Sequence, residues 1–295
     1  MNNIEELLEI INTRKLKKVF LQLPDGLKRK AIEIADELNK KNIEVIISAD
    51  PCYGACDLRI KEAEMAGCDL IVHVGHNKFL DASTQIPVVY FPWNIDVDIN
   101  EKEIEKIAEK RIGLVTTIQH LDSLEKIAEK LRKAGKEPVI GGQILGCRTE
   151  NAEKILDKTD AILFIGSGSF HALGLKRKAY RLDVEKGMIV DMAQEIMHEE
   201  KKRQARMATF MDAGTIGIIV SSKPGQFDMQ TAHRLKKKLE EKDKKAFIII
   251  MDEVTNDALM PFKADAYINT ACPRLTDSAF SKTIVNAGDL IGTMI

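Results

Sequence analysis

The amino-acid sequence predicts an α/β protein of three similar repeats, each a small parallel sheet with flanking helices, arranged with pseudo-threefold symmetry around a central site. Short runs of continuous apolar residues, typical of strands buried on both faces, alternate with segments whose apolar residues have helical spacing. This pattern starts three times, at Val19, Ile112 and Ile216, so its starts lie 93 and 104 residues apart. Repeats of this length match the size of small domains.

The first repeat contains four predicted strands and one amphipathic helix. A turn at Pro24-Asp25-Gly26 precedes the helix. Apolar residues then recur every three or four positions, the spacing of one buried helical face. They are Leu27, Ala31, Ile34, Ala35 and Leu38, and the strands are predicted over residues 18–23, 43–48, 69–74 and 87–91.

The second and third repeats have the same order of elements. The helix of the second repeat ends near Ala134, and Gly135 is placed to cap it. A long charged helix over residues 192–211 leads to the third repeat, whose own helix lies around Leu235. Strands are predicted over residues 111–115, 138–140 and 161–165, and over residues 216–220, 246–251 and 266–269.

Domain boundaries are predicted to follow the repeats, at residues 1–98, 99–192 and 193–295. The formal net charge of −1 lacks the basic excess that is typical of nucleic-acid binding. The longest apolar run, residues 246–251, is much shorter than the roughly 18 residues of a membrane helix, and the first residues do not resemble a signal peptide. We therefore expect a cytoplasmic protein that binds neither nucleic acid nor membranes.

Three of the five cysteines, Cys56, Cys147 and Cys272, lie in loops after predicted strands, one in each repeat. Ligands of open α/β sheets bind at the carboxyl ends of the strands, and small neighbours such as Gly54 and Gly146 leave a sulfur accessible. We therefore predict that the three thiols converge on one central space. An odd number of cysteines spread over a long chain does not indicate a disulfide framework.

Thiolate ligands favour an iron–sulfur cluster, zinc or copper(I) over magnesium or calcium. An Fe4S4 cluster bound by three cysteines keeps one iron open for substrate, and zinc bound by three cysteines and a histidine is the alternative. Zinc ligands usually come in local pairs such as C-x-x-C, which this chain lacks, so the wide spacing favours the cluster. Cys68 is interpreted as a buried apolar residue, and the role of Cys52 stays open.

Six segments in these loops resemble the archaeal diphthamide biosynthesis enzymes, the 2-(3-amino-3-carboxypropyl)histidine synthases. The chain departs from the family pattern where Cys52 replaces a frequent threonine, where Asn77-Lys-Phe79 replaces Ser-Cys-Leu, and where Gly166-Ser-Gly-Ser-Phe-His171 varies Gly-Asp-Gly-x-Phe-His. The six segments occur in order over nearly the whole chain. They are Leu23-Pro-Asp-Gly26, Tyr53-Gly-Ala-Cys56, Val72-His-Val-Gly-His76, Gly142-Gln-Ile-Leu-Gly-Cys147, Ser222-Lys-Pro-Gly-Gln226 and Ala271-Cys-Pro-Arg-Leu275.

The resemblance implies a homodimeric transferase in which Cys56, Cys147 and Cys272 bind an Fe4S4 cluster. It implies that S-adenosylmethionine binds at the open iron, and that the cluster, reduced by an electron donor, cleaves its Cγ–S bond. The resulting 3-amino-3-carboxypropyl radical then adds to a histidine of elongation factor 2, in the first step toward diphthamide. The C-x-x-x-C-x-x-C motif usual in radical enzymes is absent from the chain, in agreement with this different cleavage.

Eight further loop residues are candidates for binding S-adenosylmethionine. Glycines allow close approach of the backbone, the polar side chains can hold the ammonium, carboxylate or ribose, and histidines can orient substrate or donate a proton, as His171 also can. Loop turns and hydrogen-bonded loop residues explain the same pattern equally well, and the lysine can equally lie on the surface. The eight residues are Asp25, Gly26, His76, Gly142, Gln143, Lys223, Gly225 and Gln226.

Two other functions fit the cysteine pattern. Quinolinate synthase also has three repeats with one cluster-binding cysteine each, but it condenses small metabolites without S-adenosylmethionine. A non-catalytic subunit that supports a paralogue is the second alternative, and the presence of all three cysteines argues against it. Formation of methylthioadenosine after anaerobic reduction would exclude the first alternative.

Overall fold

Short strands form three separate sheets in the computed structural model. The structure describes residues 4–78, 85–175, 177–277 and 280–290, so Phe79, part of one departure from the family pattern, lies outside the described residues. The first sheet is parallel throughout, in the order β2-β1-β3-β4. Its strands are β1 (Lys18–Gln22), β2 (Glu44–Ile47), β3 (Leu70–Val74) and β4 (Val88–Phe91), and its helices are α1 (Ile4–Thr13), α2 (Ala31–Asn39) and α3 (Ile60–Met65).

The second sheet has the order β6-β5-β7-β8-β9, and all its strand pairs are parallel except the last. Its strands are β5 (Arg111–Thr116), β6 (Glu137–Gln143), β7 (Ala161–Ile165), β8 (Ala179–Asp183) and β9 (Met188–Asp191). Its helices are α4 (Glu101–Ile104), α5 (Leu124–Lys133), α6 (Glu150–Glu153) and α7 (Phe170–Leu173).

The third sheet is parallel in the order β11-β10-β12-β13. Its strands are β10 (Thr215–Ser221), β11 (Lys245–Met251), β12 (Ala266–Asn269) and β13 (Thr283–Asn286). Its helices are α8 (Ala193–Met211), α9 (Met229–Glu240), α10 (Asn256–Leu259) and α11 (Ala287–Leu290).

All three sheets share one strand order, in which the second strand of the repeat lies beside the first, and the third and fourth follow on the other side. The predicted fold class, three parallel-sheet repeats flanked by helices, is therefore confirmed. The common order is also what a pseudo-threefold arrangement requires. The exact domain boundaries stay a prediction.

The structure contains strands that were not predicted, and two of the predicted helices begin differently from the prediction. The hairpin of β8 and β9 and the strand β13 were not predicted, because these segments are short and carry polar residues among the apolar ones. The helices expected from Leu27 and Leu121 begin with 3-10 turns, at Asp25–Lys30 and Ile118–Ser123. Gly135 follows the second of these helices with φ of +78°, in agreement with the predicted cap.

Apolar side chains of the strands form the cores of the three sheets. Every residue of β3 and of β7 is buried, which explains why both strands consist almost entirely of apolar residues. Cys68 lies in such a core beside Phe20, Ala63 and Ile71, so its interpretation as a buried apolar residue is confirmed. No helix among the described residues has both the length and the apolar character needed to cross a membrane.

One aspartate in each repeat fixes the amino end of its sheet. Asp69, Asp160 and Asp265 each stand just before the third strand of their sheet and accept hydrogen bonds from backbone N–H groups at the start of the first strand. The backbone N–H of each aspartate also donates to that first strand, in each case over 2.8 Å. The side chains accept from the amides of Lys17 and Lys18, of Arg111, and of Gly214 and Thr215.

Candidate functional site

The thiols of Cys56, Cys147 and Cys272 lie near enough to influence one another electrostatically. Burial raises the pKa of Cys272 to about 11, with further contributions from the Cys56 and Cys147 thiols. Burial and then Cys56 raise the pKa of Cys147, and burial raises that of Cys56. Because such interactions weaken with distance, they indicate that the three thiols, one from each repeat, lie in the same region of the molecule.

The three cysteines are not at equivalent positions in their sheets. Cys56 follows β2 and Cys147 follows β6, each the second strand of its repeat, whereas Cys272 follows β12, a third strand. Each cysteine still lies at the carboxyl edge of its own sheet, because neighbouring parallel strands within a sheet point the same way. The sequence therefore predicts that the cysteines follow the carboxyl ends of strands, but it does not show that Cys272 follows a third strand whereas the other two follow second strands.

A loop of the third repeat holds the Cys56 loop in place. The backbone N–H of Gly225 donates to the carbonyl of Cys56 over 2.8 Å, and a Cβ on Gly225 would lie only 2.5 Å from the Cα of Cys56. The neighbouring Gln226 donates from Nε2 to the Cys56 Sγ, at 3.4 Å. Gly225 thus permits close approach, as expected for a loop glycine, but the group that approaches is the Cys56 backbone.

Cys147 lies in a tight turn closed by two backbone hydrogen bonds between Leu145 and Arg148, of 2.9 and 3.0 Å. Within this turn, a Cβ on Gly146 would lie 2.5 Å from the ring of Phe170, and the Gly146 N–H donates to Nδ1 of His171 over 2.8 Å. The first turn of α7 therefore supports the Cys147 loop. Burial lowers the pKa of His171 to about 4, so its imidazole is neutral and accepts this bond.

Cys272 is held by an asparagine of its own repeat. The side chain of Asn269, the last residue of β12, donates to the Cys272 carbonyl over 2.8 Å and accepts from the Ala271 N–H over 2.9 Å. Two residues further on, the Arg274 guanidinium lies 5.4 Å from the centre of the Phe170 ring. This contact joins the loops of the second and third repeats beside the thiols.

Lys223 is buried and forms ion pairs with acidic groups of the protein. Its Nζ lies 2.5 Å from Glu253, 3.4 Å from Asp57 and 3.5 Å from Asp252. Burial alone would lower the pKa of Lys223, but the hydrogen bond to Glu253 and the charge of Asp57 raise it, so the ammonium is charged. Arg59 joins the network through Asp252, at 2.6 Å. Of the two alternatives for Lys223, the surface position is therefore excluded, because its side chain is buried among these carboxylates.

The remaining predicted residues border this region without a common contact. Asp25 is exposed and pairs with Lys28 at 2.7 Å, and Gly26 is exposed beside it. Gln143, at the end of β6, accepts from the side chain of Asn77 over 2.8 Å, which joins the first two repeats. Gly142 has φ of +92°, a backbone conformation that favours glycine. Roles for these residues in binding S-adenosylmethionine stay predictions.

Sequence reasoning missed His73 and the charged residues that surround Lys223, which are Asp57, Arg59, Asp252 and Glu253. Asp252 and Glu253 directly follow the buried strand β11, a position that marks candidate site residues. Asp57 and Arg59 follow Cys56 closely and are buried, which no local pattern indicates. Their burial depends on partners almost 200 residues away in the chain.

Three parallel-sheet repeats that bring one cysteine each to a common edge define an α/β protein with a soft-ligand site at the junction of its repeats. A family model described as "Putative diphthamide synthesis protein" matches residues 23–291. This chain belongs to that family of diphthamide synthesis proteins.

Individual relatives agree with this assignment. The chain is 35% identical to the 2-(3-amino-3-carboxypropyl)histidine synthase of Pyrococcus horikoshii, over 92% of this chain and 82% of that protein. It is 31% identical to the protein of the same name from Methanocaldococcus jannaschii, over 90% and 81%. The crystal structure of Dph2 from Pyrococcus horikoshii with a 4Fe-4S cluster matches with a TM-score of 0.88 and 32% identity, covering 98% of this chain and 89% of that one.

The predicted family resemblance and the predicted enzyme class, a transferase, are therefore confirmed. Membership of this family also decides against the quinolinate synthase alternative.

Proposed function

We propose that this chain is a 2-(3-amino-3-carboxypropyl)histidine synthase that acts in the cytoplasm as a homodimer. Its protein substrate is elongation factor 2, its co-substrate is S-adenosylmethionine, and the reaction is the first step of diphthamide biosynthesis. The proposal rests on one observation: Cys56, Cys147 and Cys272 lie in loops of three different sheets, and their thiols influence one another electrostatically. The names of the relatives support it further.

The three cysteines are assigned as ligands of a 4Fe-4S cluster. Three soft sulfur donors at one junction suit an iron–sulfur cluster, and three ligands keep one iron free for S-adenosylmethionine. A related protein, Dph2 from Pyrococcus horikoshii, has been crystallised with such a cluster. When bound and reduced by an electron donor, the cluster supplies the electron that cleaves the Cγ–S bond of S-adenosylmethionine and releases the 3-amino-3-carboxypropyl group.

The protein groups around the thiols have separate tasks in this proposal. Because burial raises the pKa of all three thiols, they must release protons when the cluster assembles. The N–H of Gln226 stabilises the charge on the Cys56 sulfur. Lys223 is already paired with protein carboxylates, so Gln143 and the adjacent backbone of Gly142 are better candidates than Lys223 for contacts to the co-substrate.

The test combines purified elongation factor 2, anaerobically reconstituted and reduced enzyme, and S-adenosylmethionine. We expect mass spectrometry to detect one added 3-amino-3-carboxypropyl group on a single histidine, with an equal amount of methylthioadenosine. The matched control is Cys272→Ala, which removes one cluster ligand from the same protein. A fully cluster-loaded wild-type enzyme that gives neither product would refute the proposal.

A further inference from the structure

Cys52, His73 and His76 form a second group of metal-binding side chains, apart from the three thiols assigned above. One ligand atom from each residue lies within 4.8 Å of the other two. Cys52 is 4% exposed, His73 is fully buried and His76 is half-buried. Nε2 of His73 and Nδ1 of His76 are 3.0 Å apart, close to the roughly 3.3 Å between two nitrogens of a tetrahedral zinc site.

The surroundings of His73 fix which of its nitrogens is free to bind. The side chain of Gln22 is oriented by two contacts, since its Nε2 donates to the Asp57 carbonyl over 2.6 Å and its Oε1 accepts from the Arg59 N–H over 3.3 Å. That same Oε1 lies 3.4 Å from Nδ1 of His73 and can only accept a hydrogen bond. Nδ1 therefore carries the proton, and the lone pair of Nε2 points toward His76.

This arrangement is the one found around histidine ligands of metals, where the second ring nitrogen donates to a fixed acceptor. Cys52 has only a weak contact, from its Sγ to the Gly54 carbonyl at 3.9 Å. Its thiol is therefore not committed to a strong hydrogen bond.

We propose that Cys52, His73 and His76 bind one Zn²⁺ ion, separate from the Cys56, Cys147 and Cys272 site, with the fourth position open to water or a solute. A thiolate and two imidazole nitrogens within 4.8 Å of one another favour zinc over iron(II), magnesium or calcium. The ion would join the loop that carries Cys56 to the carboxyl end of β3. It would thereby stabilise the loop that carries Cys56.

The experiment measures zinc and iron per chain by inductively coupled plasma mass spectrometry. The protein is produced with zinc in the medium, reconstituted anaerobically with iron and sulfide, and passed through a desalting column. We expect zinc near one ion per wild-type chain and at least a tenfold loss in Cys52→Ala and in His73→Gln, with iron unchanged in Cys52→Ala. Cys68→Ala is the matched control, because it removes a buried thiol that lies outside both sites, and it should keep its zinc.

Three results would overturn the proposal. Zinc well below one ion per wild-type chain would indicate adventitious binding only. Zinc that survives Cys52→Ala and His73→Gln would place the ion elsewhere. Zinc that disappears in Cys147→Ala but not in Cys52→Ala would place it at the three-thiol site.

Protein folding is checked separately, so that a collapsed variant cannot imitate a lost ligand. Zinc should raise the thermal unfolding midpoint of wild-type protein and of Cys68→Ala, but not that of Cys52→Ala. A Cys52→Ala protein that still gains stability from zinc would contradict the assignment. Since the readouts are zinc content and stability, failure of this proposal and failure of the proposed transferase activity are distinguishable.

Discussion

The amino ends and the carboxyl ends of the three sheets are built in different ways. At the amino ends, Asp69, Asp160 and Asp265 occupy the same position in each repeat and make the same contacts with the first strand. Both partners of each contact belong to the same repeat. The fold alone explains them, because each aspartate satisfies backbone N–H groups at the start of a strand.

At the carboxyl ends, the three cysteines occupy different positions and have different supports. A glycine and a glutamine of another repeat hold Cys56, a tight turn backed by α7 holds Cys147, and an asparagine holds Cys272. The structural repeat therefore does not explain why three sulfurs meet. The common ligand proposed above would explain it, whereas the fold alone accounts for the contacts at the amino edge.

The largest expected effect is the loss of the cluster from the carboxyl edge. Each of Cys56→Ala, Cys147→Ala and Cys272→Ala should abolish the brown absorbance and most of the iron after anaerobic reconstitution, because two thiols do not hold a 4Fe-4S cluster in this geometry. Visible absorption spectra and iron analysis measure this.

Cys68→Ala is the control for these three variants, since Cys68 is a buried thiol outside the junction. It should keep the full absorbance, and Cys52→Ala should keep it as well. If Cys52 or Cys68 proved necessary while one of the other three did not, the assigned ligand set would be wrong.

The next effect concerns the contact between the first and third repeats. Gly225→Ala would place a Cβ within 2.5 Å of the Cys56 backbone, so the two loops must separate. We expect a loss of about 1–3 kcal/mol in the free energy of unfolding, the usual cost of overpacking, together with reduced cluster content. Urea denaturation and iron analysis measure the two effects.

Gly288→Ala is the matched control, because a Cβ there would meet no described atom within 4 Å. It should lower neither quantity, and because Gly288 lies in α11 the alanine can raise the free energy of unfolding by up to about 1 kcal/mol. If Gly225→Ala retained full stability and full iron content, the Cys56 loop would not depend on the third repeat.

The elements that the sequence predicts well are those whose signal is local. The strands β3 and β7 are buried on both faces, so their apolar runs alone locate them within about one residue. The hairpin of β8 and β9 was not predicted because Arg181 and Asp183, which form an ion pair with each other, interrupt its apolar pattern. Tertiary pairing, not local preference, makes these segments strands.

At the candidate site, too, some features follow from local sequence signals and others depend on contacts between distant residues. The edge on which Cys56, Cys147 and Cys272 lie follows from where strands end, so the sequence predicts it. The buried ion pair of Lys223 with Asp57 joins residues that are 166 positions apart, and no spacing rule connects them. Local patterns therefore predict where the chemistry lies, and only the tertiary structure determines which charges surround it.

A smaller effect is the pH dependence of stability that His171 causes at the carboxyl edge. Burial lowers the pKa of His171 to about 4, from 6.5 in the unfolded chain, so between these values the unfolded state binds more protons than the folded state. Stability must then fall as the pH is lowered through this window, by at most about 1.4 kcal/mol per pH unit for each such histidine. His171→Gln should reduce this slope in urea denaturation of metal-free protein, and an unchanged slope would contradict the assignment.

The smallest effect tests the amino edge. Asp265→Ala removes the acceptor of the Gly214 and Thr215 amides, which lie 3.1 and 2.7 Å from its Oδ2. We expect a loss of about 1–3 kcal/mol in the free energy of unfolding, and a smaller loss in Asp265→Asn, because an amide oxygen can still accept. Iron content should stay at the wild-type level in both variants, since this edge lies at the opposite ends of the strands from the thiols. A stable Asp265→Ala protein that lost its iron would show that the two edges are coupled and that the aspartates serve more than the fold.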